Sequence, residues 1–271
     1  MTVLTRLSLS RLAQSGIAKT PPLGAVLFGA MLLFAMLAPA QSADMIVNAD
    51  TSLEWNQKEG FYQARGNAHA YQGEQEIFAD DLKAFYDAAS SGRAITQIHA
   101  HGNVRFADAA HTGRGTSLIY QSGTSEYKLA GPNARIEGPD GNARAEKEIH
   151  FQRQNGKVRL QVAAEIKLGD GRHLKGEDLH LYLSPENNIE RIEAFGEVVV
   201  TQASGSSATA DKLDYNRVSN KAILQGNVTV SDAGNQLSGD KAEIDFETGI
   251  SKILSTTTGG RVSGRFTGTK Q

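Results

Sequence analysis

A two-part motif recurs along this chain at intervals of roughly 29 to 34 residues, a spacing typical of stacked structural repeats. Its first half is a glycine followed by a short strand: Gly66-Asn67-Ala68, Gly102-Asn103-Val104, Gly196-Glu197-Val198 and Gly226-Asn227-Val228. Its second half is a small residue, two polar residues and then alternating apolar ones: Ala79-Asp80-Asp81-Leu82, Gly176-Glu177-Asp178-Leu179, Ala210-Asp211-Lys212-Leu213 and Gly239-Asp240-Lys241-Ala242. Degenerate second halves at Gly113 and Arg144 bring the number of units to six. Alternation is explicit in Val158, Leu160, Val162, Ala164, Ile166, Leu168 and in Ile192, Ala194, Gly196, Val198, Val200. A period of two places alternate side chains on opposite faces of a strand, so the expected fold is all-β with one dry and one wet face.

Low proline (6) and high glycine (28) fit short strands and tight turns, and Asn155-Gly156 and Asp170-Gly171 carry hairpin-turn chemistry. Helical periodicity is missing after residue 45. In each second half the apolar residues share one parity: Leu82 and Ala84; Leu118 and Tyr120; Ile149 and Phe151; Leu179, Leu181 and Leu183; Leu213 and Tyr215; Ala242, Ile244 and Phe246. If neighbouring units pair in register, these rows form a continuous apolar lining. Periodicity alone does not distinguish a closed sandwich core from an open trough.

Arg6, Arg11 and Lys19 precede an uncharged run from Leu23 to Ala38, and Ala38-Pro39-Ala40 supplies small residues at signal-peptidase spacing. The segment reads as an export signal, with a retained single-span anchor as the alternative. Residues 1–43 are thus expected to be a signal peptide, 44–254 the repeat domain, and 255–271 a C-terminal edge strand and flexible tail. Removing the signal takes away three positive charges and moves the formal net charge from -2 to about -5. That balance argues against nucleic acid as a partner, which demands clustered Lys and Arg. Cysteine is absent, so neither disulfides nor thiolate chemistry enter.

His99 and His101 leave one face of a strand, but no acidic ligand follows at matching spacing, and surface histidines are expected. Gly113-Arg114-Gly115 and Ser204-Gly205-Ser206-Ser207 read as turns, since neither opens a helix that could cradle phosphate. No serine sits in a nucleophile elbow. Asp80, Asp211 and Asp240 recur at equivalent positions, which suits turn hydrogen bonding and not a catalytic centre. No enzyme activity and no metal or other cofactor are expected.

The stretch from Ala222 to Leu254, with Leu224-Gln225-Gly226-Asn227-Val228 and then Gly239-Asp240-Lys241, resembles the OstA-like family. Ile46 to Tyr86, with Gly66-Asn67-Ala68 and then Ala79-Asp80-Asp81, resembles that family's N-terminal half. The resemblance is weakest between Gly131 and Leu174, where the register stays open and the chain carries more units than a compact member needs. It implies a twisted, V-shaped, open antiparallel β-jellyroll whose apolar groove holds the acyl chains of lipopolysaccharide in the periplasm. It also implies head-to-tail self-association and jellyroll partners at both membranes, LptC-like at the inner and LptD-like at the outer. The apolar rows named above are the groove candidates on this reading. Burying a methylene yields about 0.8 kcal/mol relative to water, but a bilayer offers the same gain, so transfer is close to neutral and must be driven from outside. The competing readings are an anchored LptC-like transfer protein, a polysaccharide-processing β-solenoid enzyme, and a structural envelope protein with a closed core.

Overall fold

The computed structural model describes residues 45–89, 93–139, 141–169, 171–185, 187–245, 247–248, 250–256 and 260–267. The expected signal segment, Phe246 and Asp170 lie outside the described residues. Eighteen strands form one antiparallel sheet. They are β1 (Ile46–Asn48), β2 (Ser52–Asn56), β3 (Phe61–Gln72), β4 (Gln75–Tyr86), β5 (Ile95–Ala107), β6 (Thr112–Gln121), β7 (Glu126–Ala130), β8 (Ala134–Gly138) and β9 (Gly141–Ala145). β10 (Glu148–Gln152), β11 (Lys157–Leu168), β12 (His173–Leu183), β13 (Ile189–Thr201), β14 (Ser207–Asn216), β15 (Lys221–Asp232), β16 (Asn235–Asp245), β17 (Ile250–Leu254) and β18 (Ser263–Arg265) complete it. Among the described residues the single helical element is a 3-10 turn at Arg153–Asn155, closed by Gly156 in the left-handed conformation.

The sheet is a meander of the six expected hairpins: β3–β4, β5–β6, β7/β8 with β10/β9, β11–β12, β13–β14 and β15–β16. Single arms flank it, β1 and β2 on β3 and β17 and β18 on β16. Many turns are fixed by side chains that accept from the backbone just ahead: Asn56 from Glu59, Asp108 from Ala110 and His111, Asn216 from Ser219, Asp245 from Glu247 and Thr248. Asx turns of this kind substitute a side-chain oxygen for a backbone carbonyl and so close the chain tightly.

The glycine signature does not begin a short strand, as its sequence suggested; it sits in the middle of a long one. At Gly66-Asn67, Gly102-Asn103, Gly196-Glu197 and Gly226-Asn227 both residues have positive φ, and the register slips there. Two consecutive left-handed residues form a bulge that bends the strand. The pleat resumes in phase beyond it, so Ala100 and Val104 both point inward. Repeated carboxylates staple these corners: Asp50 accepts from the Asn67 amide at 2.7 Å, Asp80 from Asn103 at 3.0 Å and Asp211 from Asn227 at 2.9 Å. Asp240 instead accepts from Ser255 Oγ and the Thr256 backbone N–H. At Gly102 and Gly226 a Cβ would run into the Asp80 and Asp211 carboxylates, so glycine answers both the torsion and the space.

Two expectations are corrected here. Val162 belongs to an apolar alternation but is 46% exposed, because it and Ala163 form the β11 corner with φ of 69° and 46°. Gly113-Arg114-Gly115 is not a turn but part of β6, where Gly113 makes room for the Phe106 ring.

Candidate lipid cleft

The corners divide the sheet into two halves that share one core. Across half-sheet A one apolar residue of each arm stands directly opposite the next: Leu53, Ala64, Leu82, Ala100, Leu118, Leu129, Ile149, Leu160, Leu179, Ala194, Leu213, Leu224, Ala242 and Ile253. A parallel row one pleat away runs through Ala84, Ile98, Tyr120, Tyr127, Phe151, Val158, Leu181, Ile192, Tyr215, Ala222 and Ile244. Every described residue of the sequence-derived lining faces this interior. Leu82, Leu118, Tyr120, Ile149, Phe151, Leu179, Leu181, Leu183, Leu213, Tyr215 and Ala242 are buried, while Ala84 and Ile244 are half-buried against the core. Phe246 lies outside the described residues.

The opposite wall was not assigned from the sequence. Half-sheet B supplies Val47, Ala70, Ile77, Phe106, Gly113, Ile136, Ala143, Ile166, Leu174, Val200, Ala208, Val230 and Leu237, again each opposite the next. Ile166 and Val200 do stand in noticed alternations. What hid their role was the corner, invisible in a period of two that runs through it in phase.

Neither sequence alternative, closed core or open trough, holds along the whole molecule. In the middle the walls touch, and Ile149, Leu160, Leu179 and Leu181 have no exposed surface. Tyr127 stacks between Tyr120 and Phe151 at 4.6 and 6.1 Å, and burial, then the neighbouring Tyr120, pushes its phenol well above the usual range. Toward the C-terminal end the walls part. A cavity of about 80 Å³ lies between Ile166, Leu174 and Val200 on one wall and Ile192, Leu213 and Tyr215 on the other. A second, of about 180 Å³, shares Val200, Leu213 and Ala222 with it and continues to Leu224, Val230 and Ile244. Val230, Leu237, Ile244 and Ile253 are only half-buried there.

The polar expectations resolve simply. His101 is exposed, and His99 is half-buried with its ring edge-on to Phe85; burial and the nearby Lys83 lower its pKa. No group of three or more His, Asp or Glu among the described residues is placed to hold a metal ion.

Two facing half-sheets lined throughout by aliphatic and aromatic side chains, and parting at one end, define an apolar-cleft β-jellyroll whose interior suits hydrocarbon. The chain belongs to the LptA/(LptD N-terminal domain) LPS transport protein family, whose model matches residues 47–157 and 165–250. It is therefore a transport protein and not an enzyme. The break between the matched stretches contains Val162 and Ala163, the corner that lacks glycine. Among solved structures, the chain is similar to LptH of Pseudomonas aeruginosa, the LptA-homologous periplasmic component of a lipopolysaccharide transport device. The two are 13% identical over 83% of this chain and 96% of that one, and the TM-score of 0.21 is too low for the overlay to place any residue. No curated protein matches the chain.

Proposed function

We propose that this protein binds lipopolysaccharide in the periplasm, holds its acyl chains between the half-sheets, and serves as one element of a bridge from inner to outer membrane. The observation that carries this is the unbroken apolar lining, Leu53 to Ile253 on one wall and Val47 to Leu237 on the other, which opens at its C-terminal end around Val230 and Ile244. Hydrocarbon entering there meets apolar side chains on both walls, which replace the apolar surroundings of the bilayer with little net change in free energy, so its movement is driven from outside. Residues 1–43 act as the export signal and 44–254 as the carrier domain on this reading. LptC-like and LptD-like jellyrolls then meet its two ends.

A photo-crosslinking residue tests it. Placed at Ile244, inside the cleft mouth, it captures lipopolysaccharide; placed at Glu243, whose carboxylate is 2.6 Å from Lys241 on the outer face, it does not. Equal capture at both positions would sink the cleft assignment.

A further inference from the structure

The outer face of half-sheet B carries four arginines in one cross-strand row. Arg105 stands opposite Arg114, Arg114 opposite Arg135, and Arg135 opposite Arg144, on β5, β6, β8 and β9. Neighbouring strands lie about 4.8 Å apart, so the row is a straight line of guanidinium positions roughly 14 Å long. Like charges directly opposite one another destabilise a sheet. The chain is net negative, so this concentration of charge is not a consequence of composition.

Internal partners account for only part of it. Arg135 Nε is 3.2 Å from Glu137 and Arg144 Nη2 is 3.4 Å from Glu165, yet both side chains keep 40% or more of their surface exposed. Arg105 is exposed and lies 5.2 Å from the Phe78 ring centre. Arg114 is exposed and makes no ion pair among the described residues.

We propose that this row binds a linear polyanionic glycan bearing a carboxylate or phosphate on successive sugars. The guanidinium fork matches both anions in a bidentate way. The width of the row selects the partner. Two positions along the strands, on the same face, stand Thr112 and Glu137 on one side and Asn133 and Glu146 on the other. The positive strip is therefore one residue wide and flanked by neutral or acidic groups. A bilayer surface would demand a broad patch, and an acidic strand would demand a free edge, which β5 to β9 lack because each is paired on both sides. A chain of charged sugars lying across the strands needs neither. The row faces away from the cleft, so the proposal does not depend on what the cleft holds.

The test is titration of the full-length protein with short oligogalacturonate, one carboxylate per sugar, at low and moderate salt. Binding is expected to exceed that of a neutral oligoglucan of equal length and to weaken as salt screens it. Arg114→Gln should weaken it about tenfold, and Arg114→Gln with Arg135→Gln about a hundredfold, the loss of one and two charge-assisted contacts. Arg114→Lys should fall between wild type and Arg114→Gln. The Tm of unliganded Arg114→Gln should equal or exceed that of wild type, because a like-charge contact is removed. Equal affinity for the charged and neutral oligomers, unchanged affinity in the double variant, or tighter binding to phosphatidylglycerol vesicles or polyglutamate that is lost in the double variant would overturn the proposal. So would a lowered Tm in Arg114→Gln with glycan affinity intact, which would make the arginine structural.

Discussion

At the scale of single residues, the corner positions decide how far the chain bends. Gly102 has φ of 74° and its Cα faces the Asp80 carboxylate. Gly102→Ala must adopt left-handed backbone and displace the staple, and a loss of about 2 kcal/mol or more is expected, read as a fall in the denaturation midpoint. Val162 poses the converse case. A β-branched residue at φ of 69° is strained, and its side chain is largely in solvent, so little packing compensates. Val162→Gly is expected to raise stability by about 1 kcal/mol, and a destabilised variant would mean that the side chain packs better than its exposure indicates. On the outer face, Arg191 donates to both oxygens of Asp214 at 3.0 and 2.6 Å. That hydrogen bond, opposed by partial burial, holds the Asp214 carboxyl below the ordinary carboxylate range. A carboxyl whose folded pKa is depressed stabilises the fold above its unfolded value, about 3.9, and that contribution disappears as pH falls through the folded value. Both side chains are partly exposed, so Asp214→Asn should cost under about 1 kcal/mol at neutral pH and progressively less as pH falls and the folded carboxyl takes up its proton. A gap between the melting curves that persists in acid would assign the cost to something other than charge.

At the scale of elements, the cleft differs in tightness along its length, and truncation in its two regions should differ accordingly. Leu179 has no exposed surface and belongs to the core that the two half-sheets share, so Leu179→Ala leaves a cavity and costs about 2–5 kcal/mol. Ile244 lines the parted end, where the site is already partly solvated, and Ile244→Ala should cost about 1 kcal/mol or less. Similar losses at both positions, measured by urea denaturation, would mean that the C-terminal end is as closed as the middle. The strand pairs, their number and the inward parity of Leu82 through Ile244 were legible because alternation and glycine spacing are local signals. The register of β8 to β11 was not, since the corners there use Gly131 and Val162-Ala163 in place of Gly-Asn. Half-sheet B was missed for a related reason. A two-residue bulge preserves parity, so alternation does not separate Ala100 on one wall from Phe106 on the other, and Gly102-Asn103 between them read as the start of a strand, not as a corner. The arginine row lay deeper still, since it exists only once four separate strands are aligned.

At the scale of the whole molecule, the sheet does not close, and its two ends explain how copies could join. Among the described residues β1 and β2 pair only with β3, and β17 and β18 only with β16, so there the outer side of each arm presents backbone N–H and C=O groups without a strand partner. Exposed apolar side chains gather at these same arms: Ile46, Leu53 and Trp55 at one end, and Ile250, Val262 and Phe266 at the other. Leu53 and Ile253 are also the terminal residues of the half-sheet A lining, so pairing the first arm of one copy with the last arm of another would continue that row across the junction. Such a contact uses two different surfaces and does not close on itself, so it produces chains of increasing length and not a fixed dimer. Lys252 and Arg265 lie on the last arms and oppose association of identical edges, whereas the first arm carries the acidic Glu54 between Leu53 and Trp55, so charge favours pairing of unlike arms. We therefore expect light scattering to show mass rising with concentration in the full-length protein. Removing everything after Gly249 deletes β17 and β18 but leaves all six hairpins, so the shortened protein should stay folded, with β16 as a new edge that lacks Ile253 and the apolar tail. It should fail to elongate and fail to deliver lipopolysaccharide in cells. A truncated protein that still elongates, or a full-length one that remains monomeric at high concentration and binds no jellyroll partner, would rule out the bridge while leaving the cleft to be judged by crosslinking at Ile244.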